Sequence, residues 1–377
     1  MVRRKRRLVI RDRKKTALRI AIVLLSIIAL AGAAVLTVFT VRTCGVQIVT
    51  RSLPLIASDI TEGTGDGILY VRAGLLNFYS FKDEDLNFQK TLQGEPEGLV
   101  GTPGIKAVYS GGAIQIIDAP FDIVPAGEIA AVRCGSANAA VCTKKPTGET
   151  ALTVYNSTGQ QVYNFDYPEG RLINFGFSEA SGTTLWTMEL DTDSGSPRTT
   201  VTTFDLGRMS STGVITVSGQ LIENIFFTNS SVFVVGTESL IRYSASANRE
   251  IYRVQLYGYR AADVSLSGET PVLLLVPRGT DAISEASSVR LLSVSQKDVA
   301  EENAVTVTLP EGTIDCHLVN GSLVVTRQNS VLLYSAKGKL LETESLPEGI
   351  TVSSEKLDEH HILMERSGEF VLLTVGK

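Results

Sequence analysis

Two hydrophobic textures divide the chain. From Ile20 to Val41 the residues IAIVLLSIIALAGAAVLTVFTV hold no charge and no proline over 22 positions. A helix of that length spans roughly 33 Å at about 1.5 Å per residue, enough for a bilayer core. Beyond Val41 the 3.6-residue period disappears. Apolar positions come instead in short runs such as GILYV, LLNFYSF, TLWTMEL, SVFVVG, PVLLLV and FVLLTVG, rich in Val, Ile, Leu, Tyr, Phe and Thr and punctuated by Gly, Ser, Asn and Asp. Many short strands at regular spacing predict an all-β sandwich, barrel or propeller.

A recurring break decides among these. TLPEG at 308–312 and SLPEG at 345–349 match YPEG at 167–170, EPEG at 95–98 and the looser VPAG at 124–127. SLPLI at 52–56 reads as a sixth, degenerate copy. The prolines fall at 54, 96, 125, 168, 310 and 347, and the long gap after 168 divides into three units at the weaker breaks STG (211–213) and YGYR (257–260). Between breaks each unit offers about four strands. Unit 310–347, for example, holds TIDCHLV, GSLVVTRQ, SVLLYSA and KLLETESL. Four antiparallel strands per repeat of about 40 residues is the pattern of a β-propeller blade. Seven units lie between Pro54 and Pro347, and only three strands follow Pro347. Strand 46–51 is expected to complete that last blade, which joins the chain ends and removes free sheet edges. Eight blades are expected. Seven is the alternative, because the unit from 96 to 125 is short for four strands. In Leu-Pro-Glu-Gly, a type I turn with Pro second and Gly fourth is expected to end one blade and start the next.

Charge separates the chain as sharply as hydropathy. The first 19 residues carry ten Lys or Arg against one acid, Asp12, for a net +9, and the remainder is −14. With the positive flank preceding the apolar segment, residues 1–19 are expected in the cytoplasm, 20–41 as a single transmembrane α-helix, and 44–377 as an extracytoplasmic propeller. A cleaved signal peptide fits less well, since the small residues Ala31–Ala34 sit in mid-stretch, and Arg42 and Thr43 spoil a lipoprotein box before Cys44. A basic stub beside a membrane helix sets topology and touches anionic lipid, and the acidic body excludes binding to nucleic acid.

The basic tail, the single membrane helix, the LPEG turns and the quinoprotein-like or WD40-like blades together resemble membrane-anchored bacterial propellers of uncharacterised, unknown-function families. The resemblance implies an envelope-facing propeller and no defined activity. Quinoprotein dehydrogenases dock their blades with tryptophan motifs. Trp186 is the only tryptophan here, so no cofactor is carried over.

Catalytic and metal signals are poor. The three histidines are His317, inside an inner strand, and His360 and His361, which alternation sends to opposite faces. No nucleophile elbow or phosphate loop occurs. DTDSGS at 191–196 resembles the start of a calcium loop, but its glycine comes one place early and no glutamate follows at the right spacing. A polar hairpin turn fits it better. Cys134 and Cys142 flank a predicted hairpin in which their sulfurs would meet, a bond permitted outside the cytoplasm. No catalytic, cofactor-binding or metal residue is assigned.

Strand alternation places the blade-to-blade junctions and the turns between second and third strands on one face. The long loops there, 143–150, 190–198 and 277–288, are the expected binding face, with Lys144, Lys145, Asp191, Asp193, Arg278, Asp281 and Glu285 as candidates. The favoured function is a non-enzymatic scaffold binding an envelope protein or glycan. Alternatives are a lyase or hydrolase with its site at the central channel, which calls for clustered His, Arg, Asp or Glu on inner strands, and a transmembrane sensor. Because 46–51 leaves the membrane running toward the first junction, that face is expected to point away from the bilayer. Protease or label mapping of the membrane-embedded protein should find 277–288 accessible; shielding of that loop by the bilayer overturns the orientation.

Overall fold

The computed structural model describes residues 47–376 apart from 57, 93, 111, 180, 194, 268–269, 295–302, 347–353 and 367. The basic tail, the apolar segment 20–41 and Cys44 therefore lie outside the described residues, among which no helix is long and apolar enough to cross a membrane. The unit Ile48–Val375 consists of antiparallel sheets in chain order. Seven have four strands and one has three. Blade 1 spans 60–91, blade 2 98–116, blade 3 128–167, blade 4 172–218, blade 5 222–255, blade 6 259–308 and blade 7 313–345. Blade 8 combines Ser354–Lys356, His361–Arg366 and Glu369–Gly376 with the first strand of the chain, Gln47–Ile56, which lies outermost. The first strands of successive blades approach one another, so they line the centre. This is an eight-bladed β-propeller.

The short unit from 96 to 125, the ground for the seven-bladed alternative, forms a blade of its own. Blade 2 has three strands, and its fourth position is held by one antiparallel bridge, Ile114 to Ile123.

Hydrophobicity follows position in the blade. Second strands are covered on both faces and so read as continuous apolar runs: Ser231–Gly236 is buried throughout, and Val272–Pro277 and Ser322–Arg327 are buried up to their last residues. Outermost strands such as Leu340–Ser345 are largely exposed. The core lies between blades. Leu53, Leu55, Leu363 and Leu372 of blade 8 pack on Ile68 and Tyr79 of blade 1, and Val272, Leu274 and Leu291 of blade 6 pack on Leu318, Leu323 and Val325 of blade 7.

Inner strands of blades 4 to 7 share a feature that the break pattern did not reveal. Each has a bulge ending at a short amide or acid: Asn174, Asn224, Asp263 and Asp315. The side-chain oxygen accepts the next backbone N–H at 2.7–2.9 Å in all four, tying off the extra residue.

Three expectations need correction. In two of the Pro-Glu-Gly turns, 168–170 and 310–312, the bond runs from the N–H of Arg171 to Pro168 O and from that of Thr313 to Pro310 O, each 3.2 Å. Proline is thus the first residue, and Gly170 and Gly312 are third with φ of 71° and 77°. A third residue with positive φ is the requirement of a type II turn, which explains the glycine better than a type I turn does. Secondly, Pro54 marks no junction. It sits inside Gln47–Ile56, where an outermost strand has one side free of partners and tolerates a missing N–H. The turn follows at Ile56–Asp59, closed by Asp59 N–H to Ile56 O at 2.9 Å.

Thirdly, Cys134 and Cys142 do not pair. Cys134 lies opposite Ala139, and Cys142 lies opposite Ala131. They are three rungs apart, an odd offset that sends the thiols to opposite faces of the sheet. Accordingly Cys134 packs with the blade 2–3 core and Cys142 with the blade 3–4 core. Both are free, as is buried Cys316. Burial pushes the Cys134 thiol up to about 12.

Closure of the ring depends on one ion pair as well as on apolar packing. Arg72, at the end of the second strand of blade 1, donates to Asp59 Oδ1 at 3.0 Å and Oδ2 at 2.5 Å, and to Pro54 O at 2.8 Å. Asp59 Oδ2 also accepts the Ile56 N–H at 2.9 Å. The Asp59 side chain is 2% exposed. Asp59→Ala should lower stability by about 1–3 kcal/mol, because it strands a guanidinium and a backbone amide together. Urea unfolding of the full-length chain checks this, and an unchanged midpoint would show that the clamp contributes nothing.

Candidate functional site

The structure gathers the expected loop residues on the junction face and shows what their charges do. Lys145 pairs with Asp166 at 2.7 Å and with Glu149 at 3.7 Å. Arg171, just after the blade 3–4 turn, grips Asp191 at 3.0 Å and Asp193 at 2.5 Å, and Arg198 takes the other Asp191 oxygen at 2.6 Å. Two arginines thus neutralise the carboxylates of the calcium-like loop. Arg278 of blade 6 makes a two-pronged pair with Glu223 of blade 5, both contacts 2.7 Å. Glu285 accepts the Asp281 N–H at 3.1 Å, capping the turn that holds Ile283–Glu285. Lys144 and Lys145 border a groove of about 660 Å³ between blades 3 and 4. Most of these charges fasten loops to strands or blade to blade.

The larger concavity, about 900 Å³, opens on the opposite face, at the mouth of the axis. Turns between first and second strands build it, together with neighbouring strand residues, from six blades: 1, 2, 4, 5, 6 and 8. Leu266 and Leu357 supply apolar surface, and Glu179, Lys356 and Glu359 supply charge. Sequence reasoning missed this site, because each blade contributes one or two residues and no local motif forms.

Its polar groups answer a problem of the fold. An innermost strand has no neighbour on its axial side, so some of its amides need partners from elsewhere. Acidic side chains from other blades provide them. Glu179 of blade 4 accepts the Phe227 N–H of blade 5 at 3.0 Å. Asp263 of blade 6 accepts the Leu318 N–H of blade 7 at 2.7 Å. Glu359 of blade 8 accepts the Leu266 N–H of blade 6 at 3.1 Å and the Ser265 hydroxyl at 2.5 Å. Lys356 ties the set together through Val264 O at 2.6 Å, Asp263 at 3.2 Å and Glu359 at 3.3 Å. Burial works against the Glu359 carboxylate, yet Lys356, Ser265 and the Leu266 amide hold its pKa below the usual range.

Charged groups do therefore cluster on inner strands, as an enzyme at the channel calls for. Inner strands of blades 1, 3, 7 and 8 bring Glu62 into electrostatic range of Glu355 and Arg133, and Glu355 into range of His317, which in turn feels Asp263. Burial pulls the His317 pKa down, but Asp315, Asp263 and the Ser354 carbonyl, 2.9 Å from Nε2, raise it overall. His361 rests against Asp358 at 2.8 Å and over the Phe81 ring. Among the described residues no group of three or more His, Cys, Asp or Glu side chains is arranged to hold a metal.

Glu62 carries a measurable signature. Burial raises its carboxyl to about 7, neighbouring Glu355 adds to the rise and Arg133 opposes it. A carboxyl with a raised folded pKa binds more protons folded than unfolded, so its contribution to stability falls as pH rises from about 4.5 to about 7. Glu62→Gln should flatten that part of the profile and leave the variant more stable than the native chain by about 1–3 kcal/mol above pH 7. Denaturant titrations at pH 5 and pH 8 test this; an equal difference at both pH values contradicts it.

None of the curated proteins matches this chain. Solved structures do. The WD40 domain of SCAP from fission yeast aligns with a TM-score of 0.57 at 11% identity, over 87% of this chain and 98% of that one. BamB from Moraxella catarrhalis gives 0.53 at 9% identity, over 86% and 100%, and Sqt1 from Saccharomyces cerevisiae gives 0.52 at 9%, over 88% and 99%. Identities this low establish the propeller fold alone. A family model matches residues 127–368, which begin at the junction into blade 3 and end in blade 8. Covering well over half of the chain, that match makes this protein a member of the family of unknown function DUF5711.

Proposed function

We propose that this chain is a membrane-anchored, extracytoplasmic propeller that binds a protein partner through the axial funnel. The observation that carries the proposal is the funnel itself, a wide concavity assembled from the turns of six blades and combining apolar surface with fixed charges. The anchor rests on the uncharged stretch Ile20–Val41 and on the +9 segment before it, a combination that favours an N-terminus inside and a body outside. The propeller would then stand in the cell envelope. The junction-face loops around Lys144, Lys145, Asp191, Asp193, Arg278, Asp281 and Glu285 form a secondary binding face in this proposal, because their charges are largely spent on one another.

A protein fits the funnel better than a glycan does. The aromatic rings lining it, Phe227 and Phe233, are buried, as is Trp186, so the described residues offer no open aromatic platform there for a sugar ring. An enzyme, a lyase or hydrolase acting at the channel, is the second possibility, and the Glu62–Glu355 pair with its raised pKa values favours it. Against it, His317, Lys356 and Glu359 are each engaged in holding blades together.

A photo-crosslinking residue at Asn229 on the funnel rim of the full-length chain, in native membranes, should yield discrete protein adducts. The same residue at Leu341 on the exposed outer strand of blade 7 should not. Equal yields at the two sites, or no adducts together with turnover of a small substrate that Glu62→Gln abolishes, would overturn the binding role.

A further inference from the structure

The chain enters the propeller at the face that carries the funnel. Gln47–Ile56 is the outermost strand of blade 8, and it ends at the Ile56–Asp59 turn that leads into the first strand of blade 1. That first strand, Ile60–Gly63, runs on to Thr64 and Gly65, which line the funnel. The Ile56–Asp59 turn is therefore on the junction face. Gln47, at the other end of a 10-residue strand, lies roughly 30 Å away on the funnel side. Two contacts agree with this direction. Arg72, at the junction-face end of the second strand of blade 1, reaches Pro54 O. Arg51 reaches Glu84 at 3.4 Å, in the turn between the third and fourth strands of blade 1, on the funnel side.

Upstream of Gln47 the tether is short. Five residues, 42–46, separate it from Val41, the end of the uncharged stretch on which the anchor rests. Fully extended, the chain from Val41 to Gln47 covers about 22 Å. The rim of the funnel face is thereby held within that distance of the end of the anchor. A folded domain of about 100 residues is roughly 30 Å across, too thick for such a gap. A loop, or the end of a helix about 10–12 Å thick, fits it. The funnel draws its lining from six blades around the axis, so an occupant approaches along the axis, out of that gap.

Resting on the membrane-anchored, protein-binding role, we infer that the funnel opens toward the bilayer and takes an extracytoplasmic loop or helix end of an integral membrane protein, not a soluble protein of the envelope. The cavity, about 900 Å³, has room for a loop and none for a domain. Confinement to one membrane serves such a contact, because it raises the effective concentration of each partner for the other.

Two measurements on the full-length chain separate the orientation from the partner. In vesicles of phosphatidylethanolamine and phosphatidylglycerol carrying a quenching headgroup dye, a fluorescent amino acid at Asn229 on the funnel rim should be quenched more strongly than one at Ser284 in the junction-face loop, since a strand's length of roughly 30 Å separates the two faces. Equal quenching, or stronger quenching at Ser284, overturns the inference. A chain that does not stay with the vesicles overturns the anchor and the inference together. In native membranes, p-benzoylphenylalanine at Asn229 should trap proteins that remain in the bilayer through alkaline extraction. The crosslinked peptides, mapped by mass spectrometry, should lie within about ten residues of an apolar stretch long enough to span the membrane, because ten extended residues reach roughly 35 Å. Adducts to soluble proteins, or to parts of membrane proteins far from a span, overturn the inference while protein binding at the funnel stands. Absence of adducts overturns both.

Discussion

Every blade of this protein is a sheet that is apolar on both faces, and such a sheet is stable only when each face is covered by another blade. That requirement makes ring closure the constraint on which the rest depends. It is met by sharing the last blade between the chain ends: Gln47–Ile56 lies outside Glu369–Gly376, and Leu53 and Leu55 complete the apolar layer against Ile68 and Tyr79 of blade 1. The Arg72–Asp59 pair with its bond to Pro54 O secures the same seam. Because the paired segments lie some 300 residues apart in sequence, the contact carries a large loop-closure cost and forms only when both ends are present.

Closure leaves a second problem at the centre. Eight innermost strands turn a free edge toward the axis, where solvent is limited and no further strand fits. Carboxylates of neighbouring or next-nearest blades take up several of these amides, and they are the same groups that charge the funnel. Structural need thus places acidic side chains at the mouth of the axis, Glu359 beside Lys356 and Glu179 on the Phe227 amide.

The junction face shows the reverse. Long loops with many charges looked in sequence like a recognition surface. In three dimensions Arg171 holds two aspartates and Arg278 spans two blades to reach Glu223. Charge density alone does not distinguish a surface awaiting a partner from one already satisfied by its own ion pairs; that distinction is a matter of distances.

What the sequence determined by itself was the repeating unit. Runs such as SVFVVG and PVLLLV announce strands buried on both faces, and the return of Pro-Glu-Gly sets the length of a blade, because a strand that must end and a glycine that must adopt positive φ leave local marks. The shortness of the unit from 96 to 125 left seven or eight blades open in the sequence, and only the structure shows that it forms a blade of three strands. What only the tertiary structure decided was which side chains meet. The bulge residues Asn174, Asn224, Asp263 and Asp315 do recur at a corresponding position, a signal that was present in the sequence and passed over. Nothing local marks Glu179 as the residue that would face Phe227 N–H across a blade boundary, or separates Cys134 from Cys142 by three rungs. Register within a sheet and contact across the axis join residues far apart in the chain, and no short window of sequence contains both members of such a pair.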